Sequence, residues 1–259
     1  MKKLKEIIEL VKLILKKRFK TLAGSISFFF LINGGTALYL TVIILKSFNV
    51  KINLNQVAYL PESILSFLEY FLNNTKYSNG YSLFFIATSV WGASNLFYQM
   101  IETAEIIYER RRPQTGAFKR VISILFMLIF IFFFVGSWFV LSFLKVVLSS
   151  IQDGFFSIFV KNLVLFFLPF LLILYINVWI PPIKPNIKKA IPGAVFTSLY
   201  WFISTFIFGI YVKYFSNLTE IYGALTLLLI SILYLYILTN GLIIGFIINY
   251  NIQKKEGNI

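Results

Sequence analysis

Histidine and cysteine are both missing from this 259-residue chain. Without cysteine there is no disulfide, thiolate metal site or cysteine nucleophile, and without histidine the commonest neutral-pH base and metal ligand is gone. Charge is scarce too: 13% of residues are charged, against about 25% in a soluble domain. Acids are the scarcest, 10 Asp+Glu against 24 Lys+Arg, and outside Glu102, Glu105 and Glu109 they are scattered along the chain. Two-metal phosphodiesterase chemistry would need a carboxylate or histidine cluster, and an ATP-driven pump a phosphate-cradling glycine loop followed by lysine. Neither is written here, so the chain is expected to be neither an enzyme nor, alone, an ATP-driven pump. Neither a cofactor nor a metal is implied.

What fills the chain instead is apolar sequence, 59% of all residues. A helix needs roughly 20 apolar residues to cross the hydrocarbon core, and six uncharged windows meet that length: 21–45, 77–101, 121–144, 162–183, 190–212 and 221–253. The expectation is an all-α integral membrane protein, a six-transmembrane-helix bundle. A β-barrel would show short segments of alternating polarity, and the run from Leu125 to Val135 does not alternate. The domain plan that follows is 1–20 as a membrane-surface helix, 21–250 as the transmembrane domain and 251–259 as a tail.

Basic residues test the topology. Segments 1–20, 110–120, 184–189 and 254–255 hold 8, 5, 3 and 2 of them, 18 in all, while the alternate segments hold Lys46, Lys51, Lys76, Lys145, Lys161 and Lys213. Cytoplasmic loops are enriched in Lys and Arg, so both termini are expected inside. The net charge of +14 then faces anionic headgroups. Membrane lipids, in particular anionic phospholipid at the cytoplasmic face, are the expected partners, and nucleic acid is not.

Within residues 2–20, Leu4, Ile7, Ile8, Val11, Ile14 and Leu15 share one helical face among lysines, the pattern of a helix lying on the inner membrane surface. Lys12, Lys16 and Lys17 interrupt the continuous apolar core that a signal peptide needs. Pro61 opens an amphipathic stretch in the outer segment 46–76, suited to capping the bundle. The first span carries Asn33-Gly34-Gly35-Thr36 near its middle, and glycine pairs weaken a helix, so a kink or a close helix contact is expected at Gly34 and Gly35. Pro169 removes a hydrogen bond within the fourth span, and Pro192-Gly193 opens the fifth, with the proline in the first turn where its missing N–H costs nothing. Gly241 and Gly245 form a G-x-x-x-G pair, read as packing within the chain.

The second span holds the candidate path. Thr88, Asn95, Gln99 and Glu102 fall near one helical face with Trp91 and Gly92 beside them, and Glu105 continues it toward the stop at Glu109-Arg110-Arg111-Arg112. A polar face inside a membrane-length segment needs a partner or a hydrated cavity. Asn33, Thr88, Asn95, Gln99, Glu102 and Glu105 are therefore substrate-path candidates. Arg110, Arg111, Arg112 and Arg120 are candidates for holding a phosphate or carboxylate at the inner mouth, with a salt-bridge cluster between these arginines and the glutamates as the plain structural alternative.

Ile191-Pro192-Gly193-Ala194, Tyr211-Val212, Ile221-Tyr222-Gly223-Ala224, Leu233-Tyr234-Leu235-Tyr236 and Gly245-Phe246-Ile247-Ile248-Asn249 resemble, in order and spacing, the YihY/BrkB family of bacterial inner-membrane proteins. Ala104 to Arg112 with Phe118-Lys119-Arg120 looks like that family's basic inner loop, and Ala23-Gly24-Ser25-Ile26-Ser27-Phe28 like its first span. The resemblance covers about residues 20–250 and implies six spans with both termini inside, in agreement with the charge count. It also implies an envelope role, such as export of a lipid or small molecule. Family members were once labelled ribonuclease BN, a label now regarded as mistaken. Here Ile247 stands at the family's usual Glu position, Tyr234 at its Trp, Glu105 at its inner-loop Asn, and Asn33-Gly34-Gly35-Thr36 where a proline is common. The resulting expectation is an inner-membrane transporter or exporter for a lipid-like or anionic amphiphilic substrate, with a non-transporting envelope scaffold as the alternative.

Overall fold

The computed structural model describes residues 2–16, 18–47, 82–113, 115–149, 155–183, 185–215 and 224–256. Among the described residues all regular structure is helical, in seven elements: α1 (Lys2–Lys16), α2 (Phe19–Ser47), α3 (Ser82–Tyr108), α4 (Gly116–Ser149), α5 (Phe155–Trp179), α6 (Ile187–Phe215) and α7 (Ala224–Lys255). Three of these contain stretches long and apolar enough to cross a membrane: Gly116–Ser137, Ile187–Tyr211 and Leu229–Lys255. The outer segment from residue 48 to 76 and Gly223 lie outside the described residues.

Each helix end has a local cause. The helix expected over 2–20 breaks at Arg18, whose φ of 49° is left-handed; the Arg18 carbonyl accepts from Thr21 at 3.0 Å and Leu22 at 3.3 Å, starting α2 afresh. α3 ends in the same way at Glu109, φ 54°. There the Arg110 N–H reaches the Glu105 carbonyl (3.2 Å) and the Glu109 N–H the Ile106 carbonyl (3.3 Å), the bond pair of a Schellman cap with glutamate in glycine's usual place. α5 stops just before Pro181-Pro182. α6 begins when the Asn186 carbonyl accepts from Lys189 (2.8 Å) and Ala190 (3.2 Å). Because that start is Ile187, Pro192 sits in the second turn and not the first, and there it does remove one helical bond.

Two further expectations meet the structure. α2 runs as helix straight through Gly34 and Gly35, so no interruption occurs there. A close contact is made by the flanking residues: a methyl group on Gly92 of α3 would lie 3.3 Å from Thr36 Oγ1 and 3.4 Å from Asn33 Oδ1, and the Thr36 hydroxyl donates to its own helix at the Asn33 carbonyl (2.6 Å). α5 stays helical on both sides of Pro169.

The chain divides into two compact units. The first comprises Met1–Leu31, Tyr98–Gly116 and Pro169–Ile259; the second, Ile32–Phe97 and Ala117–Leu168. In the first unit α6 and α7 form the main helix pair, and α1 also touches α7. α7 is the more enclosed of the pair, with 44% of its apolar window buried against 28% for α6. α6 therefore turns most of its side chains outward, among them Phe202, Phe206 and Ile207, as a helix bathed in lipid does.

Glycine sets the α6–α7 spacing. A methyl on Gly245 would strike Thr197 Oγ1 and the Gly193 carbonyl, and one on Gly193 would strike the Gly245 carbonyl and the Asn249 amide. Overpacking of this sort costs about 1–3 kcal/mol. Gly193→Ala or Gly245→Ala is expected to lower the melting temperature of the purified protein in detergent. Gly209→Ala, where nothing lies within 4 Å of the added carbon, is expected to leave it unchanged or raise it, since Ala is the better helix former by about 1 kcal/mol.

Candidate functional site

Polar side chains buried inside apolar helices are the chemistry available here. In the first unit they form three ties. Gln99 of α3 donates to Ser25 Oγ of α2 at 2.9 Å. Ser27 of α2 shares a hydrogen bond of 2.5 Å with Thr239 of α7. The third tie is the largest: Asn249 of α7 accepts the Gly193 N–H at Oδ1 (2.8 Å) and donates from Nδ2 to Asn177 Oδ1 of α5 (2.8 Å) and to the Ala190 carbonyl (3.2 Å). Asn177 and Asn249 are both fully buried, so each amide satisfies groups that water cannot reach.

Thr197 continues this tie one turn along α6, donating to the Gly193 carbonyl at 2.8 Å and the Gly241 carbonyl at 3.2 Å. Residues expected to hold helices together, Gly193, Gly241 and Gly245, thus border a polar seam. Sequence reading passed over Asn177 and met Asn249 only inside a longer motif. A lone asparagine in an apolar helix was the available signal, because such a group seeks a partner helix.

The exit of α3 is more ordered than a charged loop. Glu105 is buried, 5% exposed, and its carboxylate accepts the backbone N–H of Arg112 at 3.0 Å. The Arg112 side chain turns to the end of α5, where Nη2 donates to the carbonyls of Trp179 (3.0 Å), Ile180 (2.8 Å) and Pro181 (3.2 Å). The last carbonyls of a helix lack internal partners and carry the negative end of its dipole, so this arginine caps α5 from another segment. Burial pulls the Arg112 guanidinium below its ordinary pKa, and the Glu105 carboxylate pushes it back up. Arg110 and Arg111 stay exposed. Beside them Tyr108 and Tyr250 meet edge to face, 5.5 Å between centres, with Tyr250 donating to Glu109 at 3.3 Å and Gln253 to Tyr108 at 3.4 Å.

In the second unit the anchor is Arg120 of α4. Its Nη1 donates to Asn95 Oδ1 at 2.5 Å and its Nη2 to the Trp91 carbonyl at 3.0 Å. The guanidinium carbon lies 3.8 Å from the centre of the Trp91 ring, well inside the range of a cation–π contact. Asn33 is buried beside Gly92 while Thr88 is exposed.

The residues of the expected polar stripe meet different neighbours. Asn95 is engaged by α4, Gln99 by α2 and Glu105 by the loop after α3, while Glu102 is half-buried. Helical periodicity fixes the angle at which a side chain leaves its helix, and the neighbour it meets changes with every turn. Of the four arginines grouped as anion holders, Arg112 is committed to α5, Arg120 to Trp91 and Asn95, and Arg110 and Arg111 are presented outward. Among the described residues no group of three or more His, Cys, Asp or Glu could hold a metal.

Replacing Arg112 by Ala is expected to destabilise the fold by about 2 kcal/mol, the scale of lost bonds to a charged donor, seen as a lower thermal midpoint in detergent. Arg111→Ala, at an exposed position, should shift it by no more than about 0.5 kcal/mol equivalent. An equal shift for both would remove the capping role.

Comparison with known proteins gives two matches and one blank. Over 214 residues the chain is 24% identical to the ribonuclease-like protein YfkH of Bacillus subtilis (strain 168), covering 76% of each chain. No solved structure matches it. The family described as virulence factor BrkB matches residues 10–258, nearly the whole length, and the chain belongs to that family of membrane proteins.

Proposed function

We propose that the chain is a multi-pass transporter or exporter of the bacterial inner membrane, of the YihY/BrkB type, carrying a lipid-like or anionic amphiphilic substrate. The observation that carries this reading is the guanidinium of Arg120, which reaches from the start of α4 to Asn95 and the Trp91 carbonyl of α3. Polar and ionisable side chains inside membrane-length segments mark a substrate or ion pathway by default. Arg110 and Arg111, exposed at the end of the same helix, supply the basic inner mouth such a pathway needs. The six helices α2 to α7, each of 25 residues or more, support a six-span arrangement, and the distribution of basic residues supports both termini lying in the cytoplasm.

Purified protein in liposomes is expected to move labelled anionic lipid faster than protein-free vesicles, and Glu102→Ala or Arg111→Ala to slow that movement severalfold. Wild-type rates equal to empty vesicles across anionic and zwitterionic lipids would overturn the reading.

A scaffold role is the second reading, favoured by α1: Val11 and Leu15 are 49% and 64% exposed beside Lys12 and Lys16, a surface able to hold envelope machinery at the membrane. Stoichiometric cross-linking to one protein, with growth indifferent to changes at Asn95 and Arg120, would select it. We assign no catalytic step to the chain. The ribonuclease-like name belongs to the Bacillus relative, and a chain without histidine lacks the commonest neutral-pH base; pure protein with RNA and magnesium or manganese is expected to leave the RNA intact.

A further inference from the structure

α1 carries apolar residues on two sides, and the two sides meet different surroundings. Leu10, Leu13 and Ile14 are half-buried, whereas Val11 and Leu15 are exposed. α1 packs against α7, which accounts for the first group. Lys12, Lys16 and Glu9 are exposed as well. With 3.6 residues per turn, the strip of Val11 and Leu15 lies about 130° round the helix from the half-buried group, the two lysines lie about 100° further in the same sense, and Glu9 follows them. Sequence periodicity put Ile14 with Val11 and Leu15 on a single lipid face; in the structure Ile14 belongs to the protein side.

That rotational order fits a helix lying in the corner between the protein and a bilayer. The outward apolar strip reaches the acyl region, lysine stems run beside it with their ammonium ends at the headgroups, and Glu9 faces water. α7 brings the bilayer close, since its stretch Leu229–Lys255 is long and apolar enough to cross a membrane. The left-handed break at Arg18, φ 49°, lets α1 leave the axis of α2, and the exposed Arg18 and Lys20 add positive charge at the same end. A second copy of this chain, with its net charge of +14, would bring basic surface to basic surface. Val11 and Leu15 also fall far short of the roughly 800 Å² per partner that a stable interface buries.

We propose that α1 is a strap on anionic phospholipid: Leu10, Leu13 and Ile14 hold it to the protein, Val11 and Leu15 enter the acyl region, and Lys12 and Lys16 bind headgroup phosphates. The strap rests on the membrane placement proposed above and is independent of transport. Because the chain has no cysteine, Leu15→Cys offers a single thiol for a nitroxide spin label. Its collisions are read in nanodiscs with oxygen, which dissolves among acyl chains, and with a neutral nickel chelate, which stays in water. In phosphatidylglycerol the label is expected to meet oxygen and escape nickel, and in phosphatidylcholine to meet nickel more often. Lys12→Gln or Lys16→Gln should each lower the ratio of lipid-embedded to water-exposed label about fivefold, the factor one lysine near an anionic surface commands.

A label at Leu15→Cys that meets nickel in phosphatidylglycerol as often as one at Glu9→Cys would overturn the strap. Few collisions with either reagent would mean that protein covers the strip, as the scaffold reading wants, and would overturn the lipid assignment. Equal ratios in the two lipids, or a phosphatidylglycerol ratio unmoved by both lysine substitutions together, would overturn the headgroup role. The lipid comparison is made with both lysines in place, so a misfolded lysine variant does not shelter the proposal. Loss of transport with the label still in lipid would overturn the transporter reading and leave the strap standing.

Discussion

At Gly193 and Gly245 the backbones of α6 and α7 come so close that a methyl group on either would collide with the other helix. Lipid offers no hydrophobic drive for two helices to associate, so membrane helices are held by close packing and by hydrogen bonds between them. Both devices act here at one place. Glycine permits the approach, and the Asn249 amide then serves the Gly193 N–H and the Ala190 carbonyl beside the bond that Pro192 deletes. From this point the first unit extends outward: Asn249 holds Asn177 of α5, Arg112 caps the end of α5, and Glu105 holds the backbone of Arg112. Further along, Trp201 Nε1 donates to the Leu238 carbonyl at 2.8 Å, close to Gly241, where a methyl group would strike the Tyr200 ring.

Three consecutive arginines do two different things because one of them can reach a helix end. Glu109 adopts a left-handed conformation, which turns the chain sharply after Tyr108. The next residues then run past the carbonyls that α5 leaves open before Pro181-Pro182. Arg112 is the residue opposite them, while Arg110 and Arg111 are used up in the turn and face outward. The cost of a non-glycine residue in that region, about 1–2 kcal/mol, is offset by the two Schellman bonds and the bond to Glu105.

The helical class, the membrane setting and the family were all legible in composition and in a handful of ordered motifs, because the need for about 20 apolar residues acts on every helix alike. Glycine positions were legible as contacts, and at Gly34-Gly35 the helix itself continues while Asn33 and Thr36 on either side lie against Gly92 of the facing helix. On α3 the residues of the polar stripe meet different partners. Thr88, Asn95, Gln99 and Glu102 share an angle, but the helix packed at that angle differs from turn to turn, and only tertiary structure tells which partner each one meets. Asn177 went unnoticed because one amide makes no pattern; its meaning comes from Asn249, distant in sequence.

Arg120 joins two helices from near the start of its own. It sits in the second turn of α4, and its guanidinium donates to Asn95 and to the Trp91 carbonyl of α3 and lies over the Trp91 ring. A cation–π contact contributes about 1–2 kcal/mol when shielded from water, and hydrogen bonds from a charged donor add a similar amount. A lysine would keep the charge but lose the planar fork that reaches both oxygens while it stacks on the ring, so the side chain acts through its shape as much as through its charge.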